Sequence, residues 1–334
     1  MSSKIVLSGM RSTGALHLGN YFGAIRNWVA LQDQYQCYYF AADWHALTSD
    51  YADPSKIAQN TLEAAADWLA SGLDPERSVI FVQSLVPEHA ELFLLLGMIT
   101  SKGALERVPT YKEQIRELSS KDLDTFGFLG YPVLQTADII LYRAHFVPVG
   151  EDQVSHLELS REITRRFNGY YGEIFPEPQP LLTQSPRVPG LDGRKMSKSY
   201  GNAIYLGDSP EVIRQKCKEM FTDPERLRRQ DPGRPDVCNL FAFHRLFSSP
   251  EQQEEVAAQC RAATIGCVDD KKLLAERIIA FLEPIRARRE ALIADRSTLL
   301  DILEAGSRKA RERAQQTLEL VRGAMGLDYR QLRG

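Results

Sequence analysis

The sequence predicts an α/β fold: a parallel sheet with helices on both faces, followed by an all-helical C-terminal domain. Three observations carry this expectation. Up to about residue 150, short apolar runs alternate with longer amphipathic stretches, as strands joined by crossover helices do. From Pro210 onward strand signals vanish and helical periodicity takes over. Between these regions, Phe175 to Gly193 carries Pro176, Pro178, Pro180, Pro186 and Pro189, a density that predicts an irregular connection.

Taken in order, Ile5 to Leu7, Tyr38 to Ala42, Val79 to Val82 and Phe146 to Val149 read as strands. Tyr21 to Gln34, Pro54 to Ser71, Glu88 to Ile99 and Pro132 to Leu141 read as the intervening helices, and Ser155 to Phe167 as one more after the last strand. In the C-terminal part, Glu251 to Ala263, Asp270 to Leu282 and Thr298 to Met325 have helical spacing. Pro284 either kinks the second of these or opens a short helix through Ala294. A boundary near residue 205 gives domains over 1–205 and 206–334, and the last helix is a candidate to pack back on the first.

Composition excludes several classes. Lys and Arg total 41 against 44 Asp and Glu, a net charge of −3, so any nucleic acid must be bound by local basic patches, and nothing suggests a DNA-binding protein. No apolar run approaches the roughly 18 residues of a membrane span. Five cysteines behind an N-terminus without a signal-peptide pattern point to a reducing cytoplasm.

Two polar segments carry chemistry. Gly9-Met10-Arg11-Ser12-Thr13-Gly14-Ala15-Leu16-His17-Leu18-Gly19-Asn20 follows the first strand and opens the first helix. Its glycines admit close backbone approach, the helix N-terminus offers free N–H groups to phosphate, and His17 and Asn20 can donate hydrogen bonds. A tight strand-to-helix turn with one surface histidine would read the same in isolation. Gly193-Arg194-Lys195-Met196-Ser197-Lys198-Ser199-Tyr200-Gly201-Asn202 is a polar loop with two ammonium groups three residues apart. Such a loop suits charge developing on a pyrophosphate leaving group, although a solvated basic loop would look alike.

Together, His17-Leu18-Gly19-Asn20 and Lys195-Met196-Ser197-Lys198-Ser199 resemble the HIGH and KMSKS signatures of class I aminoacyl-tRNA synthetases. The resemblance implies a Rossmann-type catalytic domain over 1–205, a helical anticodon-binding domain over 206–334, and ATP used with Mg2+. It implies catalytic roles for His17, Asn20, Lys195 and Lys198. Arg11, Ser12, Thr13, Gly19, Gly150, Asp152, Met196, Ser197 and Ser199 would join them around ATP.

The most specific stretch runs from Tyr131 to Arg166, and within it Tyr131 to Tyr142 reads as an apolar helix interrupted by Gln135 and Asp138 on one face. A buried carboxylate there needs either a core Arg or Lys, or a substrate with an N–H or O–H donor. With Ala42-Asp43-Trp44-His45-Ala46-Leu47-Thr48 and Pro148-Val149-Gly150-Glu151-Asp152-Gln153, this stretch is similar to bacterial tryptophanyl-tRNA synthetases. That similarity implies that Asp138 accepts the indole N–H and that Tyr131, Gln135 and Gln153 gather at the α-ammonium. Val147 and Val149 would line the ring pocket, with His45 nearby. Many such enzymes carry Met where Gln135 stands, and a second Lys where Gln114 follows Lys112. A Gln three residues before an Asp also occurs in tyrosyl enzymes, which form the alternative, as does a non-catalytic RNA-binding relative. The resemblance implies tRNA(Trp), L-tryptophan and ATP as partners, and a homodimer.

Two further groups remain. Cys238, Cys260 and Cys267, with Asp270, resemble the four-cysteine iron–sulfur pattern of some tryptophanyl enzymes, with a carboxylate in the last place. Carboxylate is a harder ligand than thiolate, so the site reads as vestigial. Arg308, Arg311 and Arg313 on the last helix are either a solvated face or a grip on tRNA.

Overall fold

In the computed structural model, which describes residues 4–108, 123–150, 154–182 and 188–329, the apolar runs become strands and the amphipathic stretches wrap them. The strands are β1 (Ile5–Arg11), β2 (Gln36–Ala42), β3 (Ser78–Val82), β4 (Phe146–Val149) and β5 (Gln179–Leu182). The described residues form a five-stranded, all-parallel sheet in the order β3-β2-β1-β4-β5. The chain builds outward from β1 through β2 and β3, then crosses back to β4 on the other side of β1. This reversal opens a crevice beyond the carboxyl ends of β1 and β4, where open α/β sheets bind ligands.

The first helical segment, α1 (18–31), contains a π-helical stretch at Tyr21–Ile25. It is followed by α2 (Asp43–Asp50), α3 (Ile57–Ala70), α4 (Glu88–Gly97), α5 (Lys102–Glu106), α6 (Phe126–Leu141) and α7 (Val154–Tyr171). The C-terminal part is helical: α8 (Pro210–Glu219), α9 (Asn239–Phe247), α10 (Pro250–Arg261), α11 (Cys267–Ala294) and α12 (Arg296–Ala324).

The structure corrects the expectation at three prolines. Phe175 to Gly193 is not wholly irregular, because β5 adds to the sheet there; Pro180 is tolerated because an edge strand has no ladder partner on one side. The helix carrying Asp138 begins at Phe126 rather than Pro132, since Thr125 caps it by accepting the Phe128 N–H at 3.2 Å. Pro284 opens no new helix: α11 runs through it to Ala294.

α12 returns to the sheet and lies against its β3 edge. Ser307 Oγ accepts the Val82 N–H at 3.3 Å, and Ala310, Ala314, Leu318 and Val321 are buried in a core cluster with Tyr38, Phe81 and Tyr142. Covering an edge strand in this way removes a site for unwanted strand pairing. The approach is so close that a Cβ on Gly306 would collide with the Ile80 carbonyl oxygen, a backbone atom that cannot swing away. Gly-to-Ala inside a helix ordinarily stabilises by about 1 kcal/mol. At Gly306 the sign inverts, with an expected loss of about 1–3 kcal/mol from overpacking. Denaturant unfolding of Gly306→Ala, beside Gly169→Ala where a Cβ meets nothing, checks this; equal stability of the two variants would contradict the packing described.

Candidate active site

The segment after β1 is held by its own polar groups. His17 caps α1: its Nδ1 accepts the Asn20 N–H at 3.3 Å while Asn20 Oδ1 accepts the His17 N–H at 3.1 Å. With Nδ1 an acceptor, the neutral imidazole carries its proton on Nε2 and Asn20 keeps its amide N–H groups for a ligand. His17 is 8% exposed. Burial, and then the neighbouring Lys198 ammonium, push its pKa down from 6.5 to about 4. At neutral pH this group is a hydrogen-bond donor, not a cation.

The second polar segment is fixed against the first. Lys198 Nζ donates to the carbonyls of Thr13 (2.8 Å) and Gly14 (3.1 Å), and burial lowers its pKa. Met196 is buried and packs beside Gly19. Asn202, also buried, is the knot of the loop: Oδ1 accepts the Ser197 N–H at 2.9 Å, and Nδ2 donates to Asp192 Oδ1 at 2.7 Å and to the Lys195 carbonyl at 3.2 Å. Gly190 leaves room for that amide, since a Cβ would strike it. Backbone pairing joins the two segments, with Leu18 N–H donating to Ile204 O and Leu206 N–H to Leu16 O, each at 2.9 Å.

Two cavities meet at the crevice. The outer one, about 360 Å³, is lined by Gly19, Asn20, Gly23, Asn27, Gly150 and Lys195. The deeper one, about 270 Å³, is lined by Phe40, His45, Tyr131, Gln135, Asp138 and Val147, among others. Ser8, Gly9, Pro148 and Val149 line both, so a ligand group in one lies next to the other. Gly9 is forced by packing: a Cβ there would enter the Phe40 ring.

At the floor of the deeper cavity Asp138 is 1% exposed. Gln83 Nε2 donates to both of its oxygens (2.7 and 2.9 Å), His45 Nε2 to Oδ2 (2.9 Å), and His89 Nδ1 lies 2.7 Å from Oδ1. His89 Nε2 in turn meets Tyr142 Oη at 2.7 Å. Burial pushes the Asp138 pKa up, but the contacts with His89 and His45 outweigh it and leave it at about 2. The carboxylate is therefore ionised. It has about four lone-pair sites; Gln83 and His45 make three hydrogen bonds to them, while His89 Nδ1 lies against Oδ1 without hydrogen-bond geometry.

Residues 2–283 match the family model described as tRNA synthetases class I (W and Y). The chain belongs to this family. A tryptophan–tRNA ligase of Thermotoga maritima is 53% identical over 326 residues, covering 97% of this chain and 99% of its own. One from Aquifex aeolicus is 47% identical, covering 96% and 99%. A crystal structure of the Campylobacter jejuni tryptophanyl-tRNA synthetase, complexed with ADP and tryptophan, superposes with TM-score 0.90 at 36% identity, covering 97% of this chain and all of that one. The chain is thus an aminoacyl-tRNA synthetase, of a family that uses ATP.

Not every residue expected at a synthetase site reaches the cavities. Ser12 is buried and accepts from Thr61 Oγ1 at 2.7 Å, fastening the loop to α3. Arg11 lines the deeper cavity rather than the outer one, donates to Ser49 Oγ at 2.6 Å, and has its pKa lowered by burial. Thr13 contributes its carbonyl to Lys198. Asp152 and Gln153, like Lys112 and Gln114, lie outside the described residues.

The basic run on α12 is largely spoken for. Arg311 Nε donates to Glu88 Oε1 at 2.8 Å, Arg313 is half-buried, and Arg308 remains exposed with Glu304 3.8 Å away. Arg311 thereby ties α12 to α4 while its side chain stays about half exposed. Among the cysteines, Cys238, Cys260 and Cys267 lie close enough to influence one another, and burial raises the pKa of Cys238 and Cys260. Asp270 is taken by His244 Nε2 at 3.0 Å, and Arg226 Nη1 lies 3.5 Å from Cys260 Sγ. Among the described residues no three His, Cys, Asp or Glu side chains are placed to hold a metal ion.

Sequence reasoning passed over Gly23 and Asn27, though Gly19, Gly23 and Asn27 recur at four-residue spacing and so share a helix face. It also passed over Gln83 and His89, for which no local signal existed. The depressed pKa of His17 has a measurable consequence. A histidine kept neutral by burial contributes stability that is full above about pH 6.5 and is lost as pH falls toward 4. NMR titration of labelled histidines will show the His17 midpoint near 4; a midpoint at 6 or above would contradict the capped, buried geometry.

Proposed function

We propose that this synthetase activates L-tryptophan with ATP and transfers it to tRNA(Trp). The observation that carries the reading is the ionised Asp138 carboxylate lining a buried pocket with both apolar and polar walls, with one acceptor site left for a donor on the substrate. An indole N–H supplies that donor, while Val147, Val149 and Phe40 offer apolar surface to the ring. Tyr131 and Gln135, with Gln153, would hold the α-ammonium.

ATP fits the adjoining cavity, where Gly19 and Gly23 let the nucleotide approach α1 and Asn20 and Lys195 face the phosphates. These are donors and cations, so Mg2+ would be held chiefly by phosphate oxygens and water, where it neutralises charge. The tryptophan carboxylate attacks the α-phosphorus; a carboxyl O–P bond forms, the bond to the β-phosphate oxygen breaks, and pyrophosphate leaves. No general base is required because the carboxylate is already ionised. His17 through Nε2–H, Asn20, Lys195 and Lys198 stabilise the charge that develops, so catalysis is positioning plus electrostatics. In the second step a terminal ribose hydroxyl of the tRNA attacks the acyl carbon and AMP departs.

A homodimer is supported by the apolar residues exposed together near α4: Leu85, Leu94, Met98 and Phe126. Arg308 is the member of the α12 run best exposed to meet RNA. ATP–pyrophosphate exchange measured across the amino acids tests the reading. Tryptophan alone is expected to drive exchange, in a protein that sediments as a dimer. Exchange driven by tyrosine and not tryptophan would overturn the substrate assignment.

A further inference from the structure

The nucleotide segment is anchored from below by a carboxylate that no motif contains. Asp67, on α3, is fully buried, and its Oδ2 accepts the Leu16 N–H at 2.6 Å. Leu16 immediately precedes His17, and its carbonyl accepts the Leu206 N–H at 2.9 Å. The one residue is thus gripped on both sides, by α3 and by the strand-like segment that follows the lysine loop. Leu16 cannot shift without breaking one of these bonds, and His17 follows it directly in the chain.

A carboxylate at that depth needs a cation to stay ionised. Arg289, on α11, supplies it: Nε donates to Asp67 Oδ1 at 2.6 Å, and Nη2 pairs with Glu63 on α3. Gly207 makes room for the guanidinium, since a Cβ there would come within 3.2 Å of Arg289 Cζ. The other charges facing Asp67 are Glu63 on its own helix and Lys198 from the lysine loop. Even with these partners, burial keeps the Asp67 pKa up at about 6, so the carboxylate sits close to protonation.

We infer that Arg289 is a positioning residue for ATP: by holding Asp67 ionised it keeps the Leu16 amide gripped and so fixes His17 against the phosphates. A helix of the C-terminal part thereby contributes to the nucleotide site without touching nucleotide. The inference rests on the reading of the His17 segment as the ATP site.

The test compares wild type, Arg289→Lys and Arg289→Met by ATP–pyrophosphate exchange over pH, at a temperature well below unfolding. Arg289→Met raises the KM for ATP about tenfold at pH 7, as expected for loss of a charge-assisted bond, with the KM for the amino acid within about twofold. The acid-side midpoint of kcat/KM for ATP moves to higher pH, because Asp67 ionises less readily; raising the pH repairs much of the defect. Arg289→Lys, which keeps the charge without the fork and is the milder change for folding, falls between. Unchanged ATP parameters in both variants, or equal rises in both KM values with no pH shift, would overturn the inference while leaving the activity intact. Absence of exchange in the wild type would instead overturn the proposed function.

Discussion

A carboxylate buried at 1% exposure in an otherwise apolar helix is the constraint on which this site depends. Left alone, such a group would lose several kcal/mol of solvation and take up a proton. Asp138 is kept charged by convergence: Gln83 follows β3, His89 comes from α4 and His45 from α2. Three separate elements must be in register for one oxygen pair to be satisfied. The surrounding aromatic packing, in which Tyr142 lies against Tyr38, Phe81 and His89, holds them there. A pocket whose floor is an acceptor, with its other acceptor sites used internally, discriminates by what it leaves unpaired.

The reaction chemistry comes from the opposite arrangement. At the carboxyl ends of β1 and β4 the fold gathers donors: a helix N-terminus, a histidine held neutral, and two lysines on a loop knotted by Asn202. Lys198 in this structure spends its hydrogen bonds on the Thr13 and Gly14 carbonyls while Lys195 faces the outer cavity. In this arrangement Lys198 latches the two segments together and Lys195 lines the cavity. Both cavities share Ser8, Gly9, Pro148 and Val149, so groups bound in the two would lie side by side.

Much of this was legible in the residues. The alternation of apolar runs gave four of the five strands, β1 to β4, and the two polar segments, each ordinary by itself, together carried the resemblance that implied adenylation. Gln135 and Asp138 showed as polar interruptions of an apolar helix. What stayed hidden was long-range. Gln83, His89, Asp67 and Arg289 look like ordinary helix or strand-end residues until tertiary packing brings them to a carboxylate or an amide. Pro180 and Pro132 misled for a related reason: an edge position and a strong Thr125 cap decide their effect, and neither is visible one residue at a time. The α12 arginines read as a solvated face or a grip on tRNA, and a charge run does not reveal that Glu88 and Glu91 meet Arg311 and Arg322 across the helix interface.

The central claim is that one N–H, read by Asp138, selects the substrate. The most direct measurement compares equilibrium binding of tryptophan with that of β-(3-benzothienyl)alanine, in which sulfur replaces the indole N–H at nearly the same shape. The account predicts binding of the sulfur analogue weakened by roughly a hundredfold, the cost of leaving a buried charged acceptor unpaired. Equal affinity for the two would contradict it.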